Sequence, residues 1–452
     1  MSASTSAVRR WTTRIAVATL VAGGVALPIA ASAQSHPAST TSANAQSQQS
    51  QVAQLRQEVR SGTLLKDHGV RKACPSCDAE VVTSAPGSAA PMSAAAPSGY
   101  GPSDLASAYG LPSSSSSTGT IAIIDAGVDP NLAADLAKYR STEGLSACGT
   151  DDGCLTLKNF DGGAQPAPQT SGDGAKAEEE IAVETSLDMD MASAACPSCH
   201  LLEISVPWQD GENDNDTSSS DFSKAVSTAA AANVSAVSIS YGYTATSQNT
   251  SGDELAAFNK KGVAITVSTG DSGFNGGTHQ SWPSDLPTVV AVGGTTLNGP
   301  GQETAWSGGG SGCETDFAAA TGQPSAVTKD CGGHRAAADV SADADPNTGV
   351  AVYDTYAPST NQPPNWTVVG GTSASAPYIG GLFARAGNLG EVNGPNTLYS
   401  ADSSNFNDIT SGNNEQNDQC ANYPSLDKAV CNAGTGWDGP TGLGSPKGLG
   451  AF

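Results

Sequence analysis

The octapeptide Gly370-Gly371-Thr372-Ser373-Ala374-Ser375-Ala376-Pro377 places a serine directly after two glycines and at the start of a helix-forming run over residues 374–386. Glycine allows a tight turn that a side chain would block. A serine at a helix N-terminus lies where developing negative charge is stabilised. The residues therefore allow two interpretations, a Ser/Thr helix cap or an activated nucleophile. The full octapeptide, with Pro377 in the first turn, favours Ser373 as a nucleophile.

Short apolar strands alternate with helical segments on the N-terminal side of this motif. Such alternation predicts an α/β fold with a mostly parallel central sheet and helices on both faces. Sites in such folds lie at the carboxyl ends of the strands. The predicted strands are 120–124, 201–206, 236–239, 264–268 and 289–292, and the predicted helices are 130–140, 177–195, 220–232 and 252–261.

The first hundred residues read as export and linker sequence. Arginines at 9, 10 and 14 precede an apolar run over 15–30 and an Ala-Ser-Ala cleavage site, which predicts a signal peptide over residues 1–33 and a secreted, extracellular protein. A twin-arginine route is the less favoured alternative. Residues 34–98 predict a low-complexity linker and a short pro-segment, disordered over 34–54 and with a second linker over 84–98. The ordered domain is expected over 99–452, and no later segment is apolar and long enough to span a membrane.

Ten cysteines fall into five local pairs, which favours disulfides in an oxidising compartment. The two Cys-Pro-Ser-Cys motifs also admit a redox or zinc interpretation, but no set of partner ligands clusters near them. The pairs are Cys74/Cys77, Cys148/Cys154, Cys196/Cys199, Cys313/Cys331 and Cys420/Cys431.

The net charge of −24 is unevenly distributed: residues 1–95 hold eight basic and only four acidic side chains, so residues 96–452 hold 12 basic and 40 acidic side chains and carry −28. Such an acidic surface repels nucleic acid and anionic membranes. We therefore expect neither as a partner. Solubility alone accounts for most of the charge.

The identity of the base decides the chemistry of Ser373. A serine hydrolase of neutral pH would use a histidine, and the candidates after the linkers are His200, His279 and His334. None of them stands in a sequence context that presents a general base. His279 follows Gly277 and Thr278, but it comes after the central strands and is interpreted as a loop residue.

Carboxylates are the better candidates. Glu184 and Asp188 lie four residues apart within the long helical pattern, so they share a helix face and can share a proton. A solvated acidic face is the competing interpretation, because Glu178, Glu179, Glu180 and Asp190 are close by. Asp271, in Gly-Asp-Ser-Gly, follows an apolar strand and could donate to an oxyanion when protonated. Alone, that tetrapeptide more often forms a turn.

With these residues in this order, the chain resembles the sedolisins, the serine-carboxyl peptidases with a subtilisin-like three-layer fold. The resemblance covers about residues 99–452. It implies Ser373 as nucleophile, Glu184 as general base, Asp188 as its partner and Asp271 as the oxyanion acid. The segments that carry it, in family order, are 100–105, 184–188, Ser-Ile-Ser-Tyr-Gly at 238–242, Gly-Asp-Ser-Gly at 270–273, Ala-Val-Gly-Gly-Thr at 291–295, 306–312, the Ser373 octapeptide and Gly-Trp-Asp at 436–438.

The same resemblance implies one calcium ion near the C-terminus. The family supplies two carboxylates and three backbone carbonyls, which fall here on Asp408, Ile409, Gly434, Gly436 and Asp438. Calcium takes six to eight oxygens, so water would complete the shell. From the residues alone, this Asn/Asp/Gly-rich stretch reads as loop.

Three features of the chain depart from the family pattern or refine it: the length of the N-terminal segment and two residues. Sedolisins usually carry a large folded propeptide, whereas only about 60 residues separate the predicted signal peptide from the peptidase segment here. Activation therefore works differently, or the segment with Cys74 and Cys77 does a reduced version of the same task. Tyr241 stands where many relatives have tryptophan, and Asp125 stands where many have an acid bonded to the catalytic pair.

The sequence thus predicts a secreted endopeptidase that acts on polypeptides at acidic pH through an acyl-enzyme, as a monomer. Two alternatives remain. The first is a subtilisin-type neutral serine peptidase, and the second is a catalytically inactive peptidase fold that serves as a binding module.

Overall fold

The computed structural model describes residues 39–452, except 75, 114–116, 208–218, 243–250, 279–280, 330, 358–364, 416–419 and 421–427. The chain divides into two units, residues 1–46 and residues 47–452. Of the first unit only residues 39–46 are described, and they begin a helix. The predicted signal peptide lies outside the described residues.

Within the described residues the chain forms nine α-helices and seventeen strands. The helices are α1 Ser39–Arg60, α2 Pro102–Ala108, α3 Leu132–Thr142, α4 Gly172–Ala195, α5 Ser219–Ala231, α6 Gly252–Ala257, α7 Ser325–Thr328, α8 Thr372–Ala386 and α9 Asn396–Tyr399. The strands are β1 Gly69–Lys72, β2 Glu80–Thr83, β3 Thr120–Ala126, β4 Leu155–Asn159, β5 His200–Val206, β6 Ala236–Ile239, β7 Ala264–Ser268, β8 Phe274–Thr278, β9 Val290–Leu297, β10 Glu303–Ala305, β11 Ser311–Ala318, β12 His334–Ala337, β13 Val340–Asp343, β14 Val350–Asp354, β15 Asn365–Gly370, β16 Phe406–Asn407 and β17 Ser445–Pro446.

The core is an eight-stranded sheet in the order β10-β9-β7-β6-β3-β5-β4, with β13 also paired to β9. Every pairing in it is parallel except that of β10 with β9. The central strands β3, β6 and β7 are almost wholly buried, as expected of parallel strands covered on both faces. The predicted α/β class with a mostly parallel central sheet is confirmed.

Two helix pairs cover this sheet. Helices α4 and α8 pack on each other, and α8 also lies against β6, β7 and β9. Helices α5 and α6 form the second pair, and α5 contacts β3 and β5. The strands predicted at 236–239 and 264–268 have the predicted bounds, whereas the helix predicted over 252–261 ends at Ala257.

The segment predicted to be disordered over 34–54 differs from that prediction in its described part, because residues 39–60 form helix α1. Val52, Leu55 and Val59 recur at helical spacing and are buried, which stabilises a helix that composition alone does not favour. The second predicted linker, 84–98, is also ordered. Its Ala94 pairs with Trp366 of β15, and Met92 is buried.

Strands β1 and β2 form a hairpin whose second strand joins a four-stranded sheet in the order β1-β2-β15-β14. Strand β15 leads directly into the glycines before Ser373. The hairpin therefore connects the N-terminal segment to the predicted nucleophile.

All five predicted cysteine pairs are disulfides in the structure. Among the described residues, none of the helices has the length and apolar character needed to span a membrane.

Candidate active site

Ser373 lies in the first turn of α8 and is fully buried. The preceding Gly371 has a φ of 98°, a conformation that other residues rarely adopt. The chain can therefore turn sharply from β15 into α8. Ser373 Oγ lies 3.4 Å from the carbonyl oxygen of Ser240, at the end of the neighbouring β6 segment.

Glu184 and Asp188 lie one turn apart in the fully buried middle of α4, which packs against α8. Burial raises the pKa of Glu184 well above its usual value and Asp188 raises that pKa further, while the nearby Ser373 hydroxyl lowers it. Neither carboxylate oxygen of Glu184 has a hydrogen-bond partner among the described residues. Ser240 Oγ donates to Asp188 Oδ1 at 3.0 Å. The structure thus brings the predicted base, its partner and the predicted nucleophile together. The interpretation of Glu184 and Asp188 as a solvated acidic face is wrong, because neither side chain is exposed.

Asp125 is the last residue but one of β3, lies near this pair and is completely buried. Burial raises its pKa to about 7, and the nearby Thr185 hydroxyl opposes that rise. Its charge in turn raises the pKa of both Glu184 and Asp188. Tyr241 packs over the group, and burial and the nearby acids hold its pKa well above the ordinary value.

Asp271 follows β7 and lies on the other side of the nucleophile. Its Oδ1 accepts hydrogen bonds from Thr372 N at 2.8 Å and from Thr372 Oγ1 at 3.0 Å. Its Oδ2 is buried and has no hydrogen-bond partner among the described residues. Burial raises the pKa of Asp271 well above its usual value, with further contributions from Asp78 and Glu80. The carboxyl is therefore suited to hold a proton and to donate it from Oδ2.

The sequence analysis missed the residues that cover the site, which come from the β1–β2 hairpin. Asp78 lies at its tip, and the Asp78 carbonyl oxygen accepts from Ser373 N at 2.8 Å. Lys72 supplies positive charge close by: burial lowers its pKa, but Asp78, Asp271, Glu80 and Glu184 together raise it above the ordinary value. The only sequence signal for this contact was the Cys-Pro-Ser-Cys-Asp run, which by itself does not say what the loop touches.

The described histidines make contacts elsewhere. His200 begins β5, at the opposite end of the parallel strands from Asp125, and its Nδ1 lies 3.1 Å from Gly153 O. His334 Nδ1 lies 3.1 Å from Phe317 O. His279 lies outside the described residues.

The predicted calcium ligands lie together in the C-terminal loops. Gly436 N donates to both carboxylate oxygens of Asp408, at 3.1 and 3.2 Å, and Gly434 N donates to Asp438 Oδ2 at 2.9 Å. Burial raises the pKa of Asp438 to about 7, and Asp408 adds to the rise. The side chain of Ile409 is buried beside them. The two carboxylates are hard oxygen donors of the type that calcium takes, although main-chain N–H groups already donate to both of them.

A second acidic group was not predicted. Asp129, Asp135 and Asp354 are buried, and their carboxylate oxygens lie within 4.8 Å of one another. Burial raises the pKa of Asp129 to about 7 and that of Asp354 well above its usual value. These oxygens could hold a cation, although each of the three carboxylates already accepts a main-chain N–H, from Asn131, Thr355 and Tyr356.

Comparison with known proteins places this geometry in a family. A family model described as the subtilase family matches residues 116–393. Kumamolisin of Bacillus sp. (strain MN-32) is 31% identical over 383 residues, which span 78% of this chain and 63% of the relative. Sedolisin of Pseudomonas sp. (strain 101) is 34% identical over 214 residues, which span 41% of this chain and 33% of the relative. The chain thus spans less than two thirds of the length of these curated relatives.

A solved structure has the same fold. It is a Pseudomonas sedolisin, a serine-carboxyl proteinase complexed with two molecules of pseudo-iodotyrostatin, and it covers 77% of this chain and 95% of its own at a TM-score of 0.58 and 24% identity. The match confirms the predicted subtilisin-like architecture. The family model shows that the chain belongs to the subtilase family, and within that family its sequence is similar to kumamolisin and sedolisin.

Proposed function

We propose that the chain is a secreted serine-carboxyl endopeptidase that hydrolyses polypeptides at acidic pH through an acyl-enzyme on Ser373. The observation that carries the proposal is the position of the Ser373 hydroxyl beside the carboxyl of Glu184, within a fully buried cluster that also holds Asp188. A serine next to a buried acid pair, at a helix N-terminus, has both a proton acceptor and a favourable field for developing negative charge.

The proposed reaction follows from these contacts. Glu184 accepts the Ser373 proton as Oγ attacks the substrate carbonyl carbon. Asp188, which Ser240 holds by a hydrogen bond, titrates together with Glu184 as a coupled pair. The oxyanion forms between Ser373 N and Asp271 Oδ2. Glu184 then returns the proton to the departing amine, and water hydrolyses the ester by the reverse sequence.

The proposed pH dependence has two limbs. The base works only when the Glu184–Asp188 pair has lost a proton, so activity falls as pH falls through the pKa of the pair. The acid works only while Asp271 keeps its proton, so activity falls as pH rises through the pKa of Asp271. Burial raises both pKa values, which moves the window upward from the reference values near 4. In a chain whose hairpin tip has left the site, water would enter and Asp78 would no longer raise these two pKa values, which moves the window back towards acid.

Rates of hydrolysis of an unfolded protein across a pH series test the proposal. We expect a maximum below about pH 5.5, loss of turnover in Ser373→Ala, and nearly complete loss in Glu184→Gln. A maximum at neutral pH would favour the subtilisin-type alternative. An inactive chain in which an active-site-directed aldehyde or acyl reagent fails to label Ser373 would favour the binding-module alternative.

Secretion and the calcium ion belong to the same proposal. Five disulfides support an oxidising compartment. The calcium ion would be held by the two carboxylates of Asp408 and Asp438 and by the carbonyls of Ile409, Gly434 and Gly436. Its positive charge would offset the repulsion between the two carboxylates. This ion would stabilise the C-terminal loops and would take no part in peptide hydrolysis.

A further inference from the structure

The tip of the β1–β2 hairpin is a closed loop. Strands β1 and β2 pair in antiparallel register from Gly69 opposite Thr83 to Lys72 opposite Glu80. Ala73 N donates to Ala79 O at 2.8 Å, and a disulfide joins Cys74 to Cys77. The residues that follow Cys77 therefore leave the loop in a direction fixed by the hairpin.

On one side of Ser373, this tip pairs with the segment after β6. Asp78 N donates to Ser240 O at 3.0 Å, Gly242 N donates to Ser76 O at 3.2 Å, and Cys77 forms an antiparallel bridge with Tyr241. Main-chain pairing of this kind binds an extended peptide irrespective of most of its side chains. Residues 76–78 thus lie in the manner of an added strand beside the candidate site.

On the other side of Ser373, the same chain pairs with β15. Glu80 lies opposite Gly370 and Val81 opposite Val369, in antiparallel register. The segment therefore crosses the site and is held by main-chain pairing on both sides. The peptide bond between Asp78 and Ala79 lies at the crossing point.

The Asp78 carbonyl lies against the main chain of Ser373. Its oxygen accepts from Ser373 N at 2.8 Å. A Cβ atom built on Gly371 would lie 2.2 Å from this oxygen and 2.7 Å from Asp271 Oδ2, so both oxygens border the same small space. A carbonyl oxygen next to the amide of the nucleophile and a buried carboxyl is where an oxyanion would be stabilised.

The Asp78 side chain occupies a pocket of its own. Ser268 Oγ donates to Asp78 Oδ2 at 2.7 Å. A Cβ on Gly242 would lie 3.4 Å from Asp78 Oδ2, and one on Gly270 would lie 3.8 Å from Asp78 Oδ1. Two glycines and a hydroxyl thus surround the buried carboxyl and fix the residue on the N-terminal side of the bond.

We propose that the Asp78–Ala79 peptide bond is the bond that the chain cleaves in itself, with the hairpin tip as a tethered substrate that blocks the site until it is cut. This inference rests on the proposed function. Ser373 Oγ bonds to the Asp78 carbonyl carbon and its proton passes to Glu184. The bond to Ala79 N breaks as that nitrogen takes the proton, and water then hydrolyses the Asp78 ester. The products are a carboxylate on Asp78 and a new N-terminus at Ala79.

The fragment that ends at Asp78 is held only by noncovalent contacts after the cut, because the Cys74–Cys77 disulfide lies wholly on its side of the bond. The β1–β2 pairing and contacts such as that of Arg56 Nε with Pro97 O, at 2.8 Å, would retain it at first. Full activity therefore requires dissociation of this fragment as well as hydrolysis.

Production of the full chain and of its Ser373→Ala variant tests the proposal. After incubation at acidic pH, N-terminal sequencing and intact mass should give Ala79 as the first residue of the active protein and an uncut Asp78–Ala79 bond in Ser373→Ala. A synthetic peptide of residues 72–83, with its disulfide formed, should be cut by the mature protein after Asp78.

A matched pair of variants tests the pocket. Asp78→Arg introduces a side chain too long for the space between Gly242 and Gly270, and it should slow cleavage of this bond at least about tenfold. Asp67→Arg makes the same chemical change at an exposed residue before the hairpin and should leave the rate unchanged.

The outcomes separate this proposal from the proposed function. Hydrolysis of an external peptide by a chain whose N-terminus is not Ala79, or equal cleavage in the two arginine variants, would overturn the processing site and leave the peptidase intact. Failure to cut either the external peptide or the tethered bond, in protein shown to be folded by circular dichroism, would overturn both.

Discussion

The sharpest test of the carboxyl mechanism is a comparison of two substitutions at Asp271. Its Oδ1 accepts from Thr372 N and Thr372 Oγ1, at 2.8 and 3.0 Å, and its buried Oδ2 has no partner among the described residues. An asparagine in the same rotamer would accept both bonds through its oxygen and would present an amide N–H where Oδ2 lies. Asp271→Asn therefore keeps a donor for the oxyanion, whereas Asp271→Ala removes it.

The expected magnitudes follow from this difference. Loss of one oxyanion donor costs about 10²–10³ in kcat, or about 2.7–4 kcal/mol, which is the loss we expect for Asp271→Ala. Asp271→Asn should retain a larger part of the rate. It should also lose the high-pH limb of the profile, because an amide does not deprotonate where the carboxyl does.

The assay is the initial rate of hydrolysis of an external peptide by the mature protein, measured from about pH 3 to about pH 8. Asp253→Asn is the control, because Asp253 lies in the exposed first turn of α6 and should behave as wild type. A high-pH limb that survives unchanged in Asp271→Asn would refute the role of Asp271 as the titrating acid. An Asp271→Ala variant within a factor of about three of wild type would refute its role as a donor.

Three further predictions concern stability and the turn before the nucleophile. Burial raises the pKa of Asp190, Glu203 and Asp343 well above ordinary values. Above about pH 4 the folded state therefore binds more protons than the unfolded state, and the free energy of unfolding falls as pH rises. The melting temperature of Ser373→Ala should be higher in mild acid than at neutral pH, and the opposite order would contradict these pKa directions. A chelator should lower that melting temperature if calcium is bound, and calcium should restore it; an unchanged value, with no metal in elemental analysis, would reject the ion. Gly371→Ala should abolish self-cleavage, because the added carbon would lie 2.2 Å from the Asp78 carbonyl oxygen at a φ of 98°, whereas Gly390→Ala, with no atom within 4 Å of its added carbon, should process normally.

The parallel sheet could be predicted from local pattern because its central strands are short, apolar and bounded by polar turns. Strands β6 and β7 have the predicted limits for this reason. The helix predicted over 252–261 begins at the predicted residue, where a Ser251–Glu254 capping box fixes its start. It ends early, at Ala257, because the run Asn259-Lys260-Lys261-Gly262 supplies no apolar face to extend it.

The N-terminal segment could not be predicted in the same way. Helix α1 is rich in Ser, Gln and Ala, and only tertiary burial of Val52, Leu55 and Val59 distinguishes it from a disordered run. Asp78 N donates to Ser240 O, which is 162 positions further along the chain. Ser373 N, which is 295 positions after Asp78, donates to Asp78 O. No local pattern encodes pairing over such separations.

The candidate catalytic residues were identified by their order along the chain and by resemblance. Spacing alone placed Glu184 and Asp188 on one helix face but could not tell whether that face was buried. Burial of the whole middle of α4 under α8 removes the solvent that the acidic-face interpretation requires.

Strand β2 has a neighbour on each side, β1 and β15, but the proposed cut leaves it only one. Once the fragment that ends at Asp78 departs, β2 becomes the edge strand of its sheet and exposes the main-chain groups that had paired with β1. Exposed edges invite pairing with other chains, and short strands limit that hazard. With only four residues, Glu80–Thr83, the strand offers little length for such pairing. Cleavage would therefore open the active-site cleft and, at the same time, leave a short unpaired strand edge. Any effect of that edge would be detected as aggregation of the processed form.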